Sequence, residues 1–149
     1  WPANKAKLRE FAVALTATNP MATRFLLKQM LHRKDRATEK YANILRLPLS
    51  QKGTTKAVSQ WAPSLLLPPK NAASTRRDAY KTFPLTTEII WGDKDSITPL
   101  PQGQELHALI PKSRITVLQN VGHIPQIEDP STFQTQLIAA LNRISSSAE

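Results

Sequence analysis

The sequence LTTEIIWGDKDSITP, residues 85–99, begins with the pattern of a strand and continues as a loop that contains two aspartates. Leu85 to Trp91 is rich in β-branched residues, which predicts a strand. The glycine and proline that follow indicate a loop, and Asp93 and Asp95 lie between them. In open parallel sheets, ligands and catalytic groups lie at the carboxyl ends of strands. In an α/β fold with such a sheet, this stretch predicts a functional site beside the end of its strand.

A second strand followed by a loop occurs at RITVLQNVGHIPQIEDP, residues 114–130. Arg114 to Leu118 predicts the strand, and the loop after it contains His123. A helical pattern that ends near Ile110 separates the two strands, and this order implies that they are parallel. Parallel sheets are covered on both faces and need more than two strands. We therefore expect the rest of this sheet to lie outside the chain.

The chain closes with a predicted helix. Asp129-Pro130 predicts its start, because aspartate caps helices and proline fits their first turn. Four apolar residues at helical spacing predict a buried stripe, namely Phe133, Leu137, Ile138 and Leu141.

Residues 1–70 predict helices joined by short breaks, with no strand pattern before residue 85. Asn19-Pro20 predicts the start of the second helix, and Asp35 predicts the N-cap of the third. A fourth helix is expected around residues 54–67. We therefore predict a small helical module ahead of an α/β part that begins at residue 71.

Charge divides the chain at the same place. Residues 1–70 contain 13 lysines and arginines against 3 aspartates and glutamates, whereas residues 71–149 contain 7 against 8. The basic module has either an ordinary solvated surface or a surface that attracts an anionic substrate, an acidic partner or an anionic membrane. The interspersed lysines and arginines favour the solvated surface.

Composition excludes several classes of protein. With 40% hydrophobic and 21% charged residues, the 149-residue chain has the composition of a folded domain. The absence of cysteine excludes disulfides, thiol catalysis and zinc–thiolate sites. The four glycines are too scattered for nucleotide- or dinucleotide-binding loops, so no cofactor is expected. No apolar run approaches the length of a membrane span, and the run Leu65 to Leu67 stops at Pro68.

Asp95 and His123 have the residue types of the acid and the base in a Ser-His-Asp triad. In that triad the imidazole takes the proton of the nucleophile, while the carboxylate fixes the tautomer and stabilises the imidazolium. Asp95 has a second interpretation as a turn residue, and Asp93 is an alternative acid. The alternative for His123 is an ordinary surface or core histidine.

At these two loops the sequence resembles the C-terminal part of the α/β-hydrolase family. That family commonly ends its penultimate strand with W-G-x-x-D-x-x-x-P and its last strand with G-H-x-x-x-x-E-x-P. The matching residues are Trp91, Gly92, Asp95 and Pro99 in the first loop and Gly122, His123, Glu128 and Pro130 in the second. The 28 residues from Asp95 to His123 are a usual spacing for the family.

The resemblance implies a fold, a division into domains and two site residues. The fold is the C-terminal part of an α/β-hydrolase parallel sheet, preceded by a helical lid. Residues 1–70 correspond to the lid and residues 71–149 to the core. Asp95 corresponds to the triad acid and His123 to the triad base.

The sequence departs from the family in one large respect. It contains no G-x-S-x-G nucleophile elbow, which precedes the acid and the histidine in the family, and no oxyanion-hole loop. Trp1 is not an initiator methionine, and no signal-peptide pattern follows it. We therefore expect a piece of a larger protein that is inactive without an N-terminal half, and we favour the cytoplasm as its location.

The remaining histidines and serines are poor candidates for a site. His32 lies in a basic run at a helix end and is expected to be structural or exposed to solvent. His107 and Glu105 point to different faces of a helix, so no metal site is expected. The serines Ser96, Ser113 and Ser131 lack an elbow and are not expected to act as nucleophiles.

Three functions remain after this reasoning. The first is a serine-type α/β-hydrolase that cleaves an ester or similar acyl bond of a small molecule with an apolar part. The second is a basic helical module that binds nucleic acid or another polyanion. We disfavour it because the aromatic residues of the module lie mostly at apolar helical positions rather than on an exposed face. The third is a non-catalytic scaffold related to hydrolases.

Overall fold

The computed structural model describes residues 3–67 and 72–146. These residues form two units. The helical unit comprises residues 3–29, 37–67 and 72, and the sheet unit comprises residues 30–36 and 73–146. Residues 30–36 thus pack with the sheet unit, although in sequence they interrupt the helical one. Trp1, on which the expectation of a larger protein partly rests, lies outside the described residues.

The helical unit is built from four helices. They are α1 (Ala3–Leu15), α2 (Thr23–Met30, whose last residue groups with the sheet unit), α3 (Glu39–Leu49) and α4 (Thr54–Leu66). Helix α4 packs against α1 and α3. The carboxylate of Glu39 lies 3.4 Å from the Arg24 guanidinium and accepts a 3.1 Å hydrogen bond from Arg46. No described residue before residue 85 belongs to a strand, so that prediction is confirmed.

Two of the predicted helix starts are wrong because the chain forms turns at both positions instead. Asn19 accepts the N–H of Met21 at 2.9 Å, and the turn that results delays the start of α2 to Thr23. Asp35 lies in a short 3₁₀ turn, Lys34–Arg36, and α3 begins only at Glu39. Short polar side chains favour turns as readily as helix caps, so the sequence pattern alone does not separate the two.

The sheet unit contains two strands and four helices. They are α5 (Arg77–Lys81), β1 (Thr87–Gly92), α6 (Leu100–Leu109), β2 (Ser113–Leu118), α7 (Pro125–Glu128) and α8 (Pro130–Ser146). The strands pair in parallel as predicted, with Thr87 opposite Ser113 and Gly92 opposite Leu118. Helices α6 and α8 pack against both strands. The parallel register places the carboxyl ends of β1 and β2 side by side.

The predicted buried stripe of α8 is wrong. Leu137, Ile138 and Leu141 are 38%, 50% and 54% exposed, and Phe133 is only half-buried. In α8 only Ala140 is buried. The stripe is wider than the surface that a two-stranded sheet offers, so most of it has no cover among the described residues.

The aromatic residues of the helical unit also differ from expectation. Phe11, Phe25 and Trp61 are 62%, 62% and 57% exposed, which corrects the prediction that such residues avoid an exposed face. The helical spacing of these residues identifies the helices correctly, but it does not show which side chains are covered. No helix among the described residues has the length and hydropathy that crossing a bilayer requires.

Glu88 of β1 joins the strand to the last helix. Arg143 of α8 donates two hydrogen bonds to its carboxylate, from Nε at 2.7 Å and from Nη2 at 2.8 Å. These bonds hold the pKa of Glu88 below its ordinary value, although burial acts in the opposite direction. The folded state therefore favours the ionised carboxylate.

The substitution Glu88→Gln is expected to lower the free energy of unfolding at neutral pH by about 1–2 kcal/mol, because Arg143 loses its charged acceptor. A lowered folded-state pKa gives a contribution that is complete above the unfolded-state pKa and is lost as pH falls through the folded-state pKa. The difference between wild type and variant should therefore shrink as urea unfolding is repeated from pH 7 to pH 3. The matched control is Glu105→Gln, which removes an exposed ion pair with Arg77 and should change little. An undiminished difference at the lowest pH would contradict the prediction.

Candidate active site

The loops that follow β1 and β2 are joined by their backbones. The N–H of Asp93 donates to the carbonyl of Leu118 at 3.0 Å, and the N–H of Lys94 donates to the carbonyl of Val121 at 2.9 Å. Gly92 allows this approach, because a Cβ atom there would overlap the carbonyl oxygens of Val121 and Gly122. The two loops therefore hold each other beside the ends of the strands.

The structure brings Asp95 and His123 into direct contact. The Nδ1 atom of His123 lies 2.8 Å from Oδ2 of Asp95. The Asp95 side chain is 6% exposed, whereas the His123 side chain is 32% exposed. A buried carboxylate thus holds one nitrogen of a partly accessible imidazole. The tautomer that fits this contact carries its proton on Nδ1 and leaves Nε2 as the free acceptor.

Each oxygen of Asp95 has a separate task. Oδ1 accepts the backbone N–H groups of Ile97 and Thr98, both at 2.8 Å, and so forms the turn of the loop. Oδ2 accepts the Thr98 hydroxyl at 2.7 Å in addition to its contact with His123. The two interpretations of Asp95, as a turn residue and as the partner of a histidine, are therefore both present in the structure.

The environment of Asp95 favours its ionised form. Burial raises the pKa of the carboxyl, but the hydrogen bonds from Thr98, His123 and Ile97 together outweigh burial and hold the pKa below its ordinary value. An ionised Asp95 has only acceptor atoms, which matches the hydrogen bonds that Thr98, His123 and Ile97 donate to it. Its negative charge can stabilise a positive charge on the imidazole.

Asp93 makes different contacts. Its Oδ1 accepts the N–H of Val121 at 3.3 Å, and its Oδ2 lies 3.6 Å from the ammonium of Lys94. The structure therefore gives Asp93 a contact between the loops, while Asp95 contacts the imidazole.

Thr98 is a site residue that the sequence reasoning missed. Its hydroxyl donates to Asp95 and lies 3.3 Å from Nδ1 of His123. Its carbonyl accepts the indole N–H of Trp91 at 2.9 Å, which ties the loop back to the strand. The position of Thr98, three residues after Asp95, could have indicated this role. When an aspartate forms a turn, a hydroxyl three residues later lies near its carboxylate.

A surface cavity of about 230 Å³ opens at this pair of side chains. Asp95, Thr98 and His123 line it together with the strand end at Gly92 and with Pro125 of α7. The cavity has polar and apolar walls, and the imidazole is the accessible titratable group among its lining residues. The arrangement can accept a proton from a group bound in the cavity and return it.

The side chains of the other candidates have different surroundings. His32 and Ser96 are exposed. Nδ1 of His107 lies 2.8 Å from the hydroxyl of Ser113, which donates to the carbonyl oxygens of His107 and Ile110. Ser131 donates to the carboxylate of Asp129 at the start of α8. Within residues 3–67 and 72–146, no group of three or more histidine, aspartate or glutamate side chains is placed to hold a metal ion.

No model of a protein family matches the chain. Among curated proteins, the uncharacterized protein Rv2715 of Mycobacterium tuberculosis is 35% identical over 54 residues, which are 36% of this chain and 16% of that protein. Lipase 1 of Psychrobacter immobilis is 30% identical over 46 residues, which are 31% of this chain and 14% of the lipase. The chain thus matches only a small part of the length of these relatives.

Solved structures match most of the chain. The meta-cleavage product hydrolase CumD of Pseudomonas fluorescens has a TM-score of 0.66 at 23% identity and covers 84% of this chain. The esterase EaEST of Exiguobacterium antarcticum has a TM-score of 0.69 at 17% identity and covers 93%. The α/β-hydrolase MGS-M2 from a deep-sea metagenome library has a TM-score of 0.66 at 14% identity and covers 92%.

The chain has the fold of the C-terminal part of an α/β-hydrolase. It covers 46% of CumD, 48% of EaEST and 49% of MGS-M2, so it spans about half the length of these enzymes.

Proposed function

We propose that this chain supplies the acid and the base of a hydrolase that cleaves an ester or similar acyl bond. The observation that carries the proposal is the 2.8 Å contact between a buried, ionised Asp95 and a partly exposed His123. Both side chains lie after parallel strands, where α/β proteins place their catalytic groups. The esterase, lipase and hydrolase names of the similar proteins agree with this chemistry.

In the proposed reaction, Nε2 of His123 takes the proton of a serine hydroxyl as the serine oxygen attacks the acyl carbon. The imidazolium then gives that proton to the leaving alkoxide, and the acyl group stays on the serine. Water then attacks the acyl carbon while Nε2 of His123 takes its proton. The imidazolium returns that proton to the serine oxygen as the bond between serine and the acyl group breaks and the acid leaves. Asp95 keeps Nδ1 protonated and stabilises the imidazolium throughout, without taking the proton itself.

The nucleophile of this reaction belongs to a part of the enzyme outside this sequence. The sequence contains no nucleophile elbow, and the chain spans about half the length of its structural neighbours. Helix α8 exposes apolar residues beside a sheet that has two strands. These residues offer a surface on which further strands from an N-terminal half of the enzyme can pack. We propose such a half as the partner of this chain.

We assign residues 1–70 the role of a lid and residues 71–149 that of the core. In that arrangement the lid selects a small-molecule substrate that has an apolar part. The support is the division into a helical unit and a sheet unit, in which only residues 30–36 and the boundary near residue 72 differ from these bounds, together with the apolar residues exposed on the helices.

The full-length protein should hydrolyse p-nitrophenyl esters and should react once with a fluorophosphonate. Such a probe adds to an activated serine, and the intact mass after labelling counts the modified sites. Peptide mapping is expected to place the label on a serine outside residues 1–149. The absence of both ester hydrolysis and labelling would refute the proposal. Labelling of Ser96, Ser113 or Ser131 would refute the assignment of the nucleophile.

A second candidate is binding of a polyanion by the basic helical unit. The exposure of Phe11, Phe25 and Trp61 favours it, since exposed aromatic side chains beside basic ones can stack on nucleic-acid bases. Binding of single-stranded DNA that weakens steeply with salt would support this function, and no binding at low salt would remove it. This candidate function leaves the contact between Asp95 and His123 unexplained.

The third function, a non-catalytic scaffold, is the conclusion if the full-length protein shows no ester hydrolysis.

A further inference from the structure

Glu128 is the most deeply buried carboxylate among the described residues. Its side chain is 0% exposed and lies on α7, the single-turn helix that follows the loop 119–124, which contains His123. A carboxylate in such a position is costly unless its oxygens accept hydrogen bonds. The proposed hydrolysis gives Glu128 no direct part, so its burial needs another explanation.

The two oxygens of Glu128 join two separate segments of the backbone. Oε1 accepts the N–H of Gly122 at 2.9 Å, and Oε2 accepts the N–H of Arg33 at 2.8 Å. Hydrogen bonds from backbone N–H groups to a buried carboxylate are short and strong. One carboxylate therefore ties the residue before His123 to the segment 30–36.

Further contacts support the same connection. The N–H of His123 donates to the carbonyl of Met30 at 3.1 Å, and the Arg33 guanidinium donates to the carbonyl of Glu128 at 3.3 Å. Gly122 has no room for a side chain, because a Cβ atom there would lie 2.6 Å from the backbone nitrogen of His32 and 2.7 Å from Oε1 of Glu128. The backbone on the N-terminal side of the imidazole is thus held from several directions.

We infer that Glu128 is a positioning residue for His123: its carboxylate holds the N–H groups of Gly122 and Arg33 and so sets the backbone from which the imidazole reaches Asp95. The catalytic meaning of this inference rests on the proposed function. The contact between Asp95 and His123 depends on a 2.8 Å distance, so a small shift of the Gly122 amide moves the ring out of reach.

The substitution Glu128→Gln tests the inference, because it keeps the size of the side chain but replaces one acceptor oxygen by an N–H₂ group that can only donate. In the full-length protein, the ring ¹⁵N chemical shifts of His123 report which nitrogen carries the proton. We expect these shifts to move from those of a fixed Nδ1–H tautomer towards those of a mixture of tautomers. We also expect kcat for ester hydrolysis to fall roughly 10- to 100-fold with little change in KM.

The matched control is Glu105→Gln, the same change at an exposed carboxylate of the sheet unit. It should leave both the ring shifts and kcat unchanged. Unchanged ring shifts in a folded Glu128→Gln variant would overturn the inference. If wild type shows no ester hydrolysis, the proposed function fails while the ring shifts still decide the positioning role.

A measurement on wild type covers the case in which the Glu128→Gln variant does not fold. The amide hydrogens of Gly122 and Arg33 should exchange with solvent as slowly as that of His123, because one bridged structure protects all three. Fast exchange at Gly122 and Arg33 would overturn the inference.

Discussion

Replacement of His123 by alanine is expected to reduce kcat for ester hydrolysis by the full-length protein roughly 10⁵- to 10⁶-fold. The imidazole is the only group in our proposed mechanism that accepts and returns the proton, and Asp95 cannot replace it because its hydrogen bonds hold its pKa low. Stopped-flow and long-incubation assays with a p-nitrophenyl ester would together span this range.

The expected loss in His123→Ala lies in chemistry rather than in folding or binding. The side chain is 32% exposed, so its removal leaves no large cavity in the core. KM and the thermal unfolding midpoint should therefore stay close to the wild-type values. The control is His32→Ala, which removes another histidine of the sheet unit with an exposed side chain. A His123→Ala variant with more than a tenth of wild-type activity would refute the role of the base.

The substitution Asp95→Asn is expected to lower kcat about 10⁴-fold. The asparagine oxygen can still accept the N–H groups of Ile97 and Thr98, so the turn of the loop should survive. Its N–H₂ group then faces Nδ1 of His123 and favours the tautomer that has its proton on Nε2. That tautomer cannot accept a proton from the nucleophile. Measurement of kcat beside the ring ¹⁵N shifts of His123 would connect the loss of rate to the change of tautomer.

Asp93→Asn is the matched control for Asp95→Asn. It makes the same change two residues away, at a carboxylate that contacts Val121 and Lys94 instead of the histidine. We expect a small effect on kcat. A larger loss in Asp93→Asn than in Asp95→Asn would show that the acid of the site is assigned to the wrong residue.

The site was predictable from the sequence wherever its geometry follows from strand order. Both loops come directly after strand patterns, and parallel strands that pair side by side bring the loops together. The structure accordingly places Asp95 and His123 in contact. The connection between Glu128 and Arg33 was not predictable, since it joins residues 95 positions apart that share no periodic pattern.

The errors in the fold prediction have a common physical cause. Hydrophobic spacing identified α1, α4 and α8, yet Phe11, Trp61 and Ile138 remain exposed in them. Spacing shows that one face of a helix is apolar, whereas burial depends on what packs against that face. The predicted starts of α2 and α3 are wrong for a local reason. The chain forms turns there, with a side-chain hydrogen bond at Asn19 and a 3₁₀ turn at Asp35.

The position of residues 30–36 determines where a chimeric protein that contains part of this chain can be joined. These residues begin at the last residue of α2, yet Leu31 is 3% exposed. Met30 accepts the N–H of His123, and the N–H of Arg33 donates to Glu128 of α7. A chimera that exchanges everything before residue 70 would bring a foreign segment next to His123. An exchange that keeps residues 30–36 native instead needs junctions on both sides of that segment as well as one near residue 72. A grafted helical unit should therefore be inserted as two pieces around a retained native segment.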